Sequence, residues 1–396
     1  MKLDMLNVNY ITRPWFFDIS IEFIKELKQK VNLNVILIIA PATASYLGIT
    51  DQEAKEYLNK TLRLEDVLKG ENYERVYPYF EGAKVLCKFE QHNESSFKNT
   101  VGWSKLLFSN KYLYNSDFTI LESLSFADWY FLFRIRNKKL FYIIHDPVAH
   151  TGEERGRIDT LNRLYFPYIN QFITYSQFSA KIFSKNFPLF KEKLKTFKMP
   201  VYTSLNIGID KGFKVNTRKK VVFFGRISPY KGAELFYDAA IQLAINYFDT
   251  DFIIAGKTID GYQPEFLNYN PYQNIIIKNR FIDLEELYEI MVDADLCVLP
   301  YLDATQSGVI MTAYAFELPV LVSNCEGLLE YCFDKENFSF ENGNMDDLRN
   351  KMETLISSPT LLAQNKRQIL SYTQQNVSAQ NVDLVIAIYQ NQQSIY

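Results

Sequence analysis

What constrains this chain most is a rhythm. Short, near-continuous apolar runs alternate with amphipathic stretches of helical period along its 396 residues. NVNYIT (7–12), NVILIIA (34–40), KVLCKF (84–89), FTILES (118–123), LFYIIH (140–145) and QFITYS (171–176) come first. VVFFG (221–225), DFIIAG (251–256), NIIIKN (274–279), LCVLPY (296–301) and PVLVSN (319–324) follow. Between them, IEFIKELKQK (21–30), LEELYEIMVDA (284–294) and the run from Gly308 carry the helical period. Strands apolar on both faces and separated by helices imply parallel sheets covered on both sides. Each half therefore reads as a doubly wound, Rossmann-like α/β domain, and the pair should face each other across a cleft. We expect a first domain over 1–200, a second over 201–377, and a last helix at 378–396 packing back on the first. The polar, basic stretch 204–220 suits the join. Val382, Leu384, Val385, Ile388 and Tyr389 would form the apolar face of the last helix.

Composition narrows the function classes. A hydrophobic content of 47% supports sizeable cores, and a net charge of −3 offers no basic excess for nucleic acid. The cysteines at 87, 297, 325 and 332 form no CxxC pair, and with histidines at 92, 145 and 150 give no zinc pattern. A reducing compartment is expected. The N-terminus shows no signal-peptide core, and the longest apolar run, VILIIAPA (35–42), is far short of the ~20 residues that cross a bilayer. The expected location is cytoplasmic.

In doubly wound sheets ligands sit at the carboxyl ends of the strands, so the informative motifs follow a strand. GRISPYKG (Gly225–Gly232) follows VVFF and leads into the helical run AELFYDAAIQLA. Arg226 offers a planar fork of donors, and Lys231 a mobile point charge; bracketed by glycines, the two suit a diphosphate. Two solvated loop cations would look the same in sequence. Thr305-Gln306-Ser307-Gly308 follows LCVLPY and opens the next helical run. Its free N–H groups and positive dipole end would point into the cleft. That term is modest, ~0.3–1 kcal/mol and up to ~2 when partly buried, so it must act together with the two cations. Gly308 would admit a phosphate close to the backbone; Thr305 or Ser307 could also simply cap the helix.

His145 ends the strand LFYII and would face the cleft from the first domain, with Asp146 capping the turn or orienting the imidazole. His150 is a weaker candidate. Gly256 and Lys257, after DFII, would be a close-approach glycine and a phosphate or ribose contact, or else an ordinary turn. Asp249-Thr250-Asp251 and Asp293-Ala294-Asp295 precede strands, at the amino edge of the sheet, so their Asp-X-Asp pattern implies no metal.

Arg226, Lys231 and the strand-turn-helix at 300–323 together resemble the retaining glycosyltransferases of family 4, of the bacterial surface-glycan type, which have the GT-B fold. RFIDLEELYEIMVDADLCVLP (280–300), PVLVSNCEGLLE (319–330) and the HDP turn (145–147) match as well. The resemblance is strong over 220–335 and weak over the first hundred residues. It implies transfer of a sugar, with retention and without metal or cofactor, from a nucleotide-diphosphate donor to a glycan or lipid-linked oligosaccharide in polysaccharide biosynthesis. By similarity, Arg226 and Lys231 would neutralise the leaving diphosphate. The amides of 306–309, Val309 among them, would bind its distal phosphate. His145 would touch the donor sugar near the reacting carbon. Gly225, Gly256, Lys257 and Arg280 would line the nucleotide pocket. No carboxylate nucleophile of the retaining-glycosidase kind is evident; the family is discussed in terms of front-face attack, the leaving phosphate helping to take the acceptor's proton.

The chain departs from the family in places. The family's two glutamates, seven residues apart, fall at Ala304 and Thr312. Asp303 is the candidate substitute for the first, and Thr312 a weaker ribose partner. The glycine usual at the end of that helix is Glu317, the first of a following Gly-Gly is Glu326, and Ile11-Thr12-Arg13-Pro14 replaces a glycine-rich turn. These changes bear on recognition of the donor sugar more than on diphosphate binding.

In the GT-B fold the first domain usually holds the acceptor. KIFSKNFPLFKEKLKTFK (181–198) sets six lysines against Glu192, with Phe183, Phe187, Phe190 and Phe197 interleaved. It suits peripheral contact with an anionic inner membrane face, or equally a solvated helix whose phenylalanines lie in the core. Two other functions compete with transfer: a GT-B-type sugar-nucleotide epimerase, which turns over donor without acceptor, and a catalytically silent nucleotide-sugar binding protein.

Overall fold

The computed structural model describes residues 5–91, 96–135, 139–148, 156–206 and 218–393. The first sheet contains β1 (Asn7–Thr12), β2 (Asn32–Ile39), β3 (Thr61–Arg63), β4 (Lys84–Phe89), β5 (Phe118–Leu121), β6 (Lys139–Ile144), β7 (Gln171–Thr174) and β8 (Leu194–Thr196). Its spatial order is β3-β4-β2-β1-β5-β6-β7-β8, parallel throughout except for β3 against β4. The second contains β9 (Lys219–Phe224), β10 (Thr250–Ala255), β11 (Ile275–Lys278), β12 (Leu296–Leu299), β13 (Val320–Ser323) and β14 (Ser339–Phe340), in the order β11-β10-β9-β12-β13-β14, all parallel. Central strands such as β2 and β12 are buried along nearly their whole length, because helices cover both faces. The helix Phe17–Leu27 shows how: Ile19, Phe23, Ile24 and Leu27 turn inward at helical spacing.

Strand order reverses between β1 and β5 in the first sheet and between β9 and β12 in the second. Such reversals open a crevice at the carboxyl ends of the strands. The last helix, Val377–Gln393, lies against Phe17–Leu27; Tyr389 stacks near Phe118, and Asn381 donates to the Lys198 carbonyl at 2.8 Å. Leu384, expected on its apolar face, is exposed instead.

The short strands β3, β8 and β14 carry no sequence signal of their own. The segment 181–198 proves to be the end of the helix Gln177–Asn186, a 3-10 turn at Pro188–Lys193, and β8. Phe183 and Phe197 are buried, and Phe187 and Phe190 pack on Phe166. Its aromatic half is therefore core, which favours the second of the two readings of this segment, a solvated stretch with its phenylalanines turned inward. The join expected at 204–220 falls mostly on 207–217, and His150 at 150; both lie outside the described residues. Among the described residues no helix is long and apolar enough to cross a membrane.

Candidate active site

The second sheet's reversal point gathers the expected groups. After β9 the chain turns at Gly225 and Arg226, makes a 3-10 turn at Pro229–Lys231, and enters the helix Ala233–Ala244. This folds Lys231 back over the reversal point. Its Nζ donates to the Tyr301 hydroxyl at 3.2 Å and lies 4.9 Å from that ring's centre. A Cβ at Gly225 (φ +127°) would lie 3.3 Å from Lys231 Nζ and 3.5 Å from Val309, so these three residues line one small space. Burial, then the neighbouring Arg226 charge, pushes the Lys231 ammonium down to about 8. Among the described residues no carboxylate lies within ion-pair distance of Lys231. Arg226 itself is exposed.

The helix Gly308–Ala315 begins at the same place. Ser307 occupies its N-cap but makes no capping bond. Thr305 is committed elsewhere too: its hydroxyl donates to Asp146 Oδ1 at 2.7 Å. The first-turn N–H groups are thus left uncapped by side chains, which is what an anion at a helix start requires. Gly308 also has a local cause, since a Cβ there would meet the Tyr202 hydroxyl at 2.9 Å.

The opposite wall comes from the first domain. His145 follows β6, is 9% exposed, and stacks on Phe16 at 3.9 Å with the rings 10° from parallel. Its Nε2 sits 3.5 Å from Oε1 of Glu122, without hydrogen-bond geometry. Glu122 follows β5, is buried, and accepts from Ser20 through its other oxygen. Sequence reasoning passed over Glu122, although a carboxylate ending an apolar strand was the available signal. Asp146 reaches across to the second domain. It holds Thr305, while Gln306 Nε2 donates to the His145 carbonyl at 2.7 Å. The side chains of Thr305 and Gln306 thus latch the two walls together. Ser176 and Ser179 reinforce the latch by donating to the Thr305 carbonyl at 3.0 and 3.3 Å.

Beside this cluster lies a cavity of about 360 Å³ between the domains. Phe17, Tyr46 and Tyr79 line one side, and Phe224, Phe281 and Thr312 the other. Its size falls within the ~300–1,000 Å³ of small-molecule sites, and its lining is mostly apolar, with few polar groups. Thr312 is buried and donates to its own helix at the Gly308 carbonyl, 3.2 Å away. Phe281 reaches the cavity; the adjacent Arg280 is turned onto Glu286, which it grips with both terminal nitrogens.

The remaining candidates stand further out. Lys257 is exposed. Gly256 (φ +150°) is explained by its neighbour, because a Cβ there would lie 1.9 Å from the Gly225 carbonyl oxygen. Asp303 is half-buried beside Cys325, whose thiol is pushed up by burial and, to a lesser degree, by that carboxylate. Both Asp-X-Asp pairs lie at the amino edge of the second sheet, where Asp251 pairs with Arg218 at 2.7 Å and Asp293 with Lys220 at 3.4 Å.

Comparison with known proteins agrees with this architecture. Residues 218–358 match the family described as Glycosyl transferases group 1. The comparison with curated proteins found no match. Among solved structures the chain is similar to Anabaena HepE in complex with UDP and glucose, with a TM-score of 0.69 at 15% identity over 98% of this chain and 100% of that one. The catalytic domain of starch synthase IV from Arabidopsis thaliana, bound to ADP and acarbose, gives 0.68 at 12% identity over 98% and 100%. Sucrose-phosphate synthase from Thermosynechococcus elongatus gives 0.65 at 13% identity over the same shares, 98% and 100%. The chain therefore has the two-domain GT-B fold, with a group 1 glycosyl transferase domain over residues 218–358.

Proposed function

We propose that this protein transfers a sugar from a nucleoside-diphosphate donor to a glycan or lipid-linked acceptor, with retention at the reacting carbon, as a member of family 4 acting in surface-polysaccharide assembly. One observation carries the reading: Lys231, Arg226 and an uncapped helix start converge at the second sheet's reversal point, opposite His145. Preorganised donors in a sheltered cleft stabilise the charge that develops as a diphosphate leaves. The bond from the sugar's reacting carbon to the phosphate oxygen breaks, a bond to the acceptor oxygen forms, and the acceptor's proton passes to the departing phosphate. His145, steadied by Phe16 and facing Glu122, contacts the sugar. The apolar cavity takes the nucleoside, with Thr312 and Phe281 at its edge. No step is assigned to a metal.

HepE and starch synthase IV were solved with UDP and ADP, which makes uridine and adenine diphosphates the first to try. A thermal-shift panel of nucleoside diphosphates and their sugars tests the site: ~100-fold excess over Kd stabilises by ~2.7 kcal/mol. No response to any of them overturns the reading. The Glu122–His145 pair could also serve as the acid/base couple of an epimerase. Donor turnover without acceptor, lost in His145→Ala, would favour that second reading over transfer.

A further inference from the structure

Three elements of the first domain close around the ring of His145. Phe16, from the 3-10 turn after β1, stacks on its face. Tyr175, which follows β7, lies 6.1 Å away between ring centres. Glu122, which follows β5, brings Oε1 to 3.5 Å from Nε2. Tyr10, within β1, neighbours the same carboxylate. His145 Nε2, Glu122 Oε1 and the hydroxyls of Tyr10 and Tyr175 are all buried and lack a hydrogen-bond partner among the described residues. Buried polar atoms are nearly always paired, so four orphans around one imidazole call for an explanation.

The surroundings leave Glu122 and His145 to each other. Among the described residues the one ion pair of Glu122 is with His145. Its other oxygen accepts from Ser20. Arg13 reaches Ser123, the next residue along, but is paired with Glu90. Asp146, adjacent to His145, accepts from Thr305. Burial, then the Glu122 charge, pushes the Tyr10 and Tyr175 hydroxyls well above the ordinary phenol range, so both stay neutral. The Nε2–Oε1 separation is only about 0.5 Å longer than an ordinary N–H···O bond, and such bonds tighten when a substrate closes the site. A carboxylate facing one ring nitrogen decides which nitrogen carries the proton. We propose that Glu122 is a positioning residue for His145: it holds a proton on Nε2, fixes the ring against Phe16, and leaves Nδ1 as the nitrogen for the substrate. A neutral ring held this way accepts a hydrogen bond at Nδ1, which suits a hydroxyl of the sugar. This last step rests on the reading of His145 as the sugar contact.

Nitrogen NMR of the full chain, labelled at histidine, reads the tautomer without donor or acceptor. The chain has three histidines, so a His145→Ala control assigns the signal. At mildly alkaline pH we expect the proton on Nε2 with Nδ1 bare, and a mixture of tautomers in Glu122→Leu. Glu122→Gln should keep the parent pattern, because its amide oxygen still accepts from Nε2. A bare Nε2 facing a protonated Glu122, or a parent ring that already exchanges between tautomers, overturns the proposal. In transfer assays Glu122→Leu should lower kcat by about tenfold to a hundredfold through a misplaced ring, while Glu122→Gln keeps most of the parent rate. In a His145→Ala background Glu122→Leu should cost nothing further, since a residue that acts through another has no effect once that one is gone. Additive losses would make Glu122 merely structural. A Glu122→Gln as slow as Glu122→Leu would make it an acid or base in its own right; either result overturns the positioning role. An unaltered nucleoside-diphosphate thermal shift reports that each variant is folded. Should Glu122→Leu not fold, the parent spectrum and Glu122→Gln decide alone. No transfer by the parent would sink the proposed function, and the tautomer would still decide what Glu122 does.

Discussion

At the end of β1, Arg13 donates from Nε to Ser123 at 2.9 Å, across the point where the first sheet's strand order reverses. At the end of β9, Lys231 donates to Tyr301 at 3.2 Å across the same point of the second sheet. The topology is shared, but the electrostatics are opposite. Arg13 is 2% exposed and paired with Glu90 at 3.3 Å; Glu90 also takes Lys88, and Asp128 lies close by. Two cations and two carboxylates thus close the first crevice, where the family has a glycine-rich turn. Their charges largely answer one another, although Arg13 Nη2 keeps no hydrogen-bond partner among the described residues. Among the described residues Lys231 forms no ion pair; its Nζ meets the Tyr301 hydroxyl and ring with the Arg226 charge nearby, and Gly225 leaves room in front. One fold, used twice, yields a plugged reversal point and an open one, and only the open one is suited to an anion.

Removing a charge from each point should have different consequences. Glu90→Gln leaves two buried cations facing Asp128 alone. Breaking a buried pair in this way costs about 3–5 kcal/mol. We expect a large drop in melting temperature with an unchanged Kd for nucleoside diphosphate. A weakened Kd with an unchanged melt would mean that the first crevice is the anion site, and the comparison would fail. Lys231→Ala should do the reverse. Loss of one preorganised donor costs ~2.7–4 kcal/mol in the transition state, or 10²–10³ in kcat, with little change in melting. Full transfer activity in Lys231→Ala would remove the central claim about the second crevice.

A smaller effect follows from the Lys231 titration. Its pKa is pushed down to about 8, so the ammonium is fully charged below that pH and loses its proton above it. A diphosphate binds the charged form and raises the pKa, so affinity is full at low pH and falls as pH passes 8. Linkage for one proton gives binding about tenfold weaker at pH 9 than at pH 7. Lys231→Arg should flatten the profile, because a guanidinium does not titrate there. A flat profile in the parent protein would mean that another group carries the charge. Calorimetric titrations with the chosen nucleoside diphosphate at both pH values decide this.

How much of this was legible follows from where each interaction comes from in the chain. The strand ends, Arg226, Lys231 and the turn at 305–308 are written locally, within one strand-turn-helix each, and they appear together at one point. The plug at Arg13 was not legible: its partners Glu90 and Ser123 lie 77 and 110 residues away and meet it only through sheet order. The latch of Thr305 and Gln306 spans 159 and 161 residues, so the hold of these two side chains on the first domain could not be read from the turn alone. The cavity's Phe224 and Phe281 lie in separate segments of the chain, and only the fold brings them to one wall. In 181–198 the alternation of lysine and phenylalanine could not separate surface from core, because the helix gives way at Asn186 to a 3-10 turn and a strand. Periodicity has no single value across such a segment.

The smallest effect tests whether the family's glycine pattern can be read as backbone geometry. Glu317, where a glycine is usual, adopts φ 57°, the left-handed region. It follows the helix Gly308–Ala315; its N–H donates to the Tyr314 carbonyl, and that of Leu318 to Ala313, both at 3.0 Å. This is a helix C-terminus closed by a left-handed residue, the position glycine takes without a Cβ penalty. The Glu317 side chain offsets part of the strain through Lys366 at 3.2 Å, but both partners are exposed and such pairs contribute little. A left-handed non-glycine residue costs roughly 1–2 kcal/mol, and glycine's extra chain entropy returns part of that. Glu317→Gly should therefore stabilise the second domain by about 0.5–1 kcal/mol, with kcat and the nucleoside-diphosphate Kd unchanged. A destabilised variant would mean that the Lys366 contact outweighs the backbone, and that the departure at 317 is a specific feature of this chain rather than a tolerated strain. Urea melts of the parent, Glu317→Gly and Lys366→Met separate the two contributions.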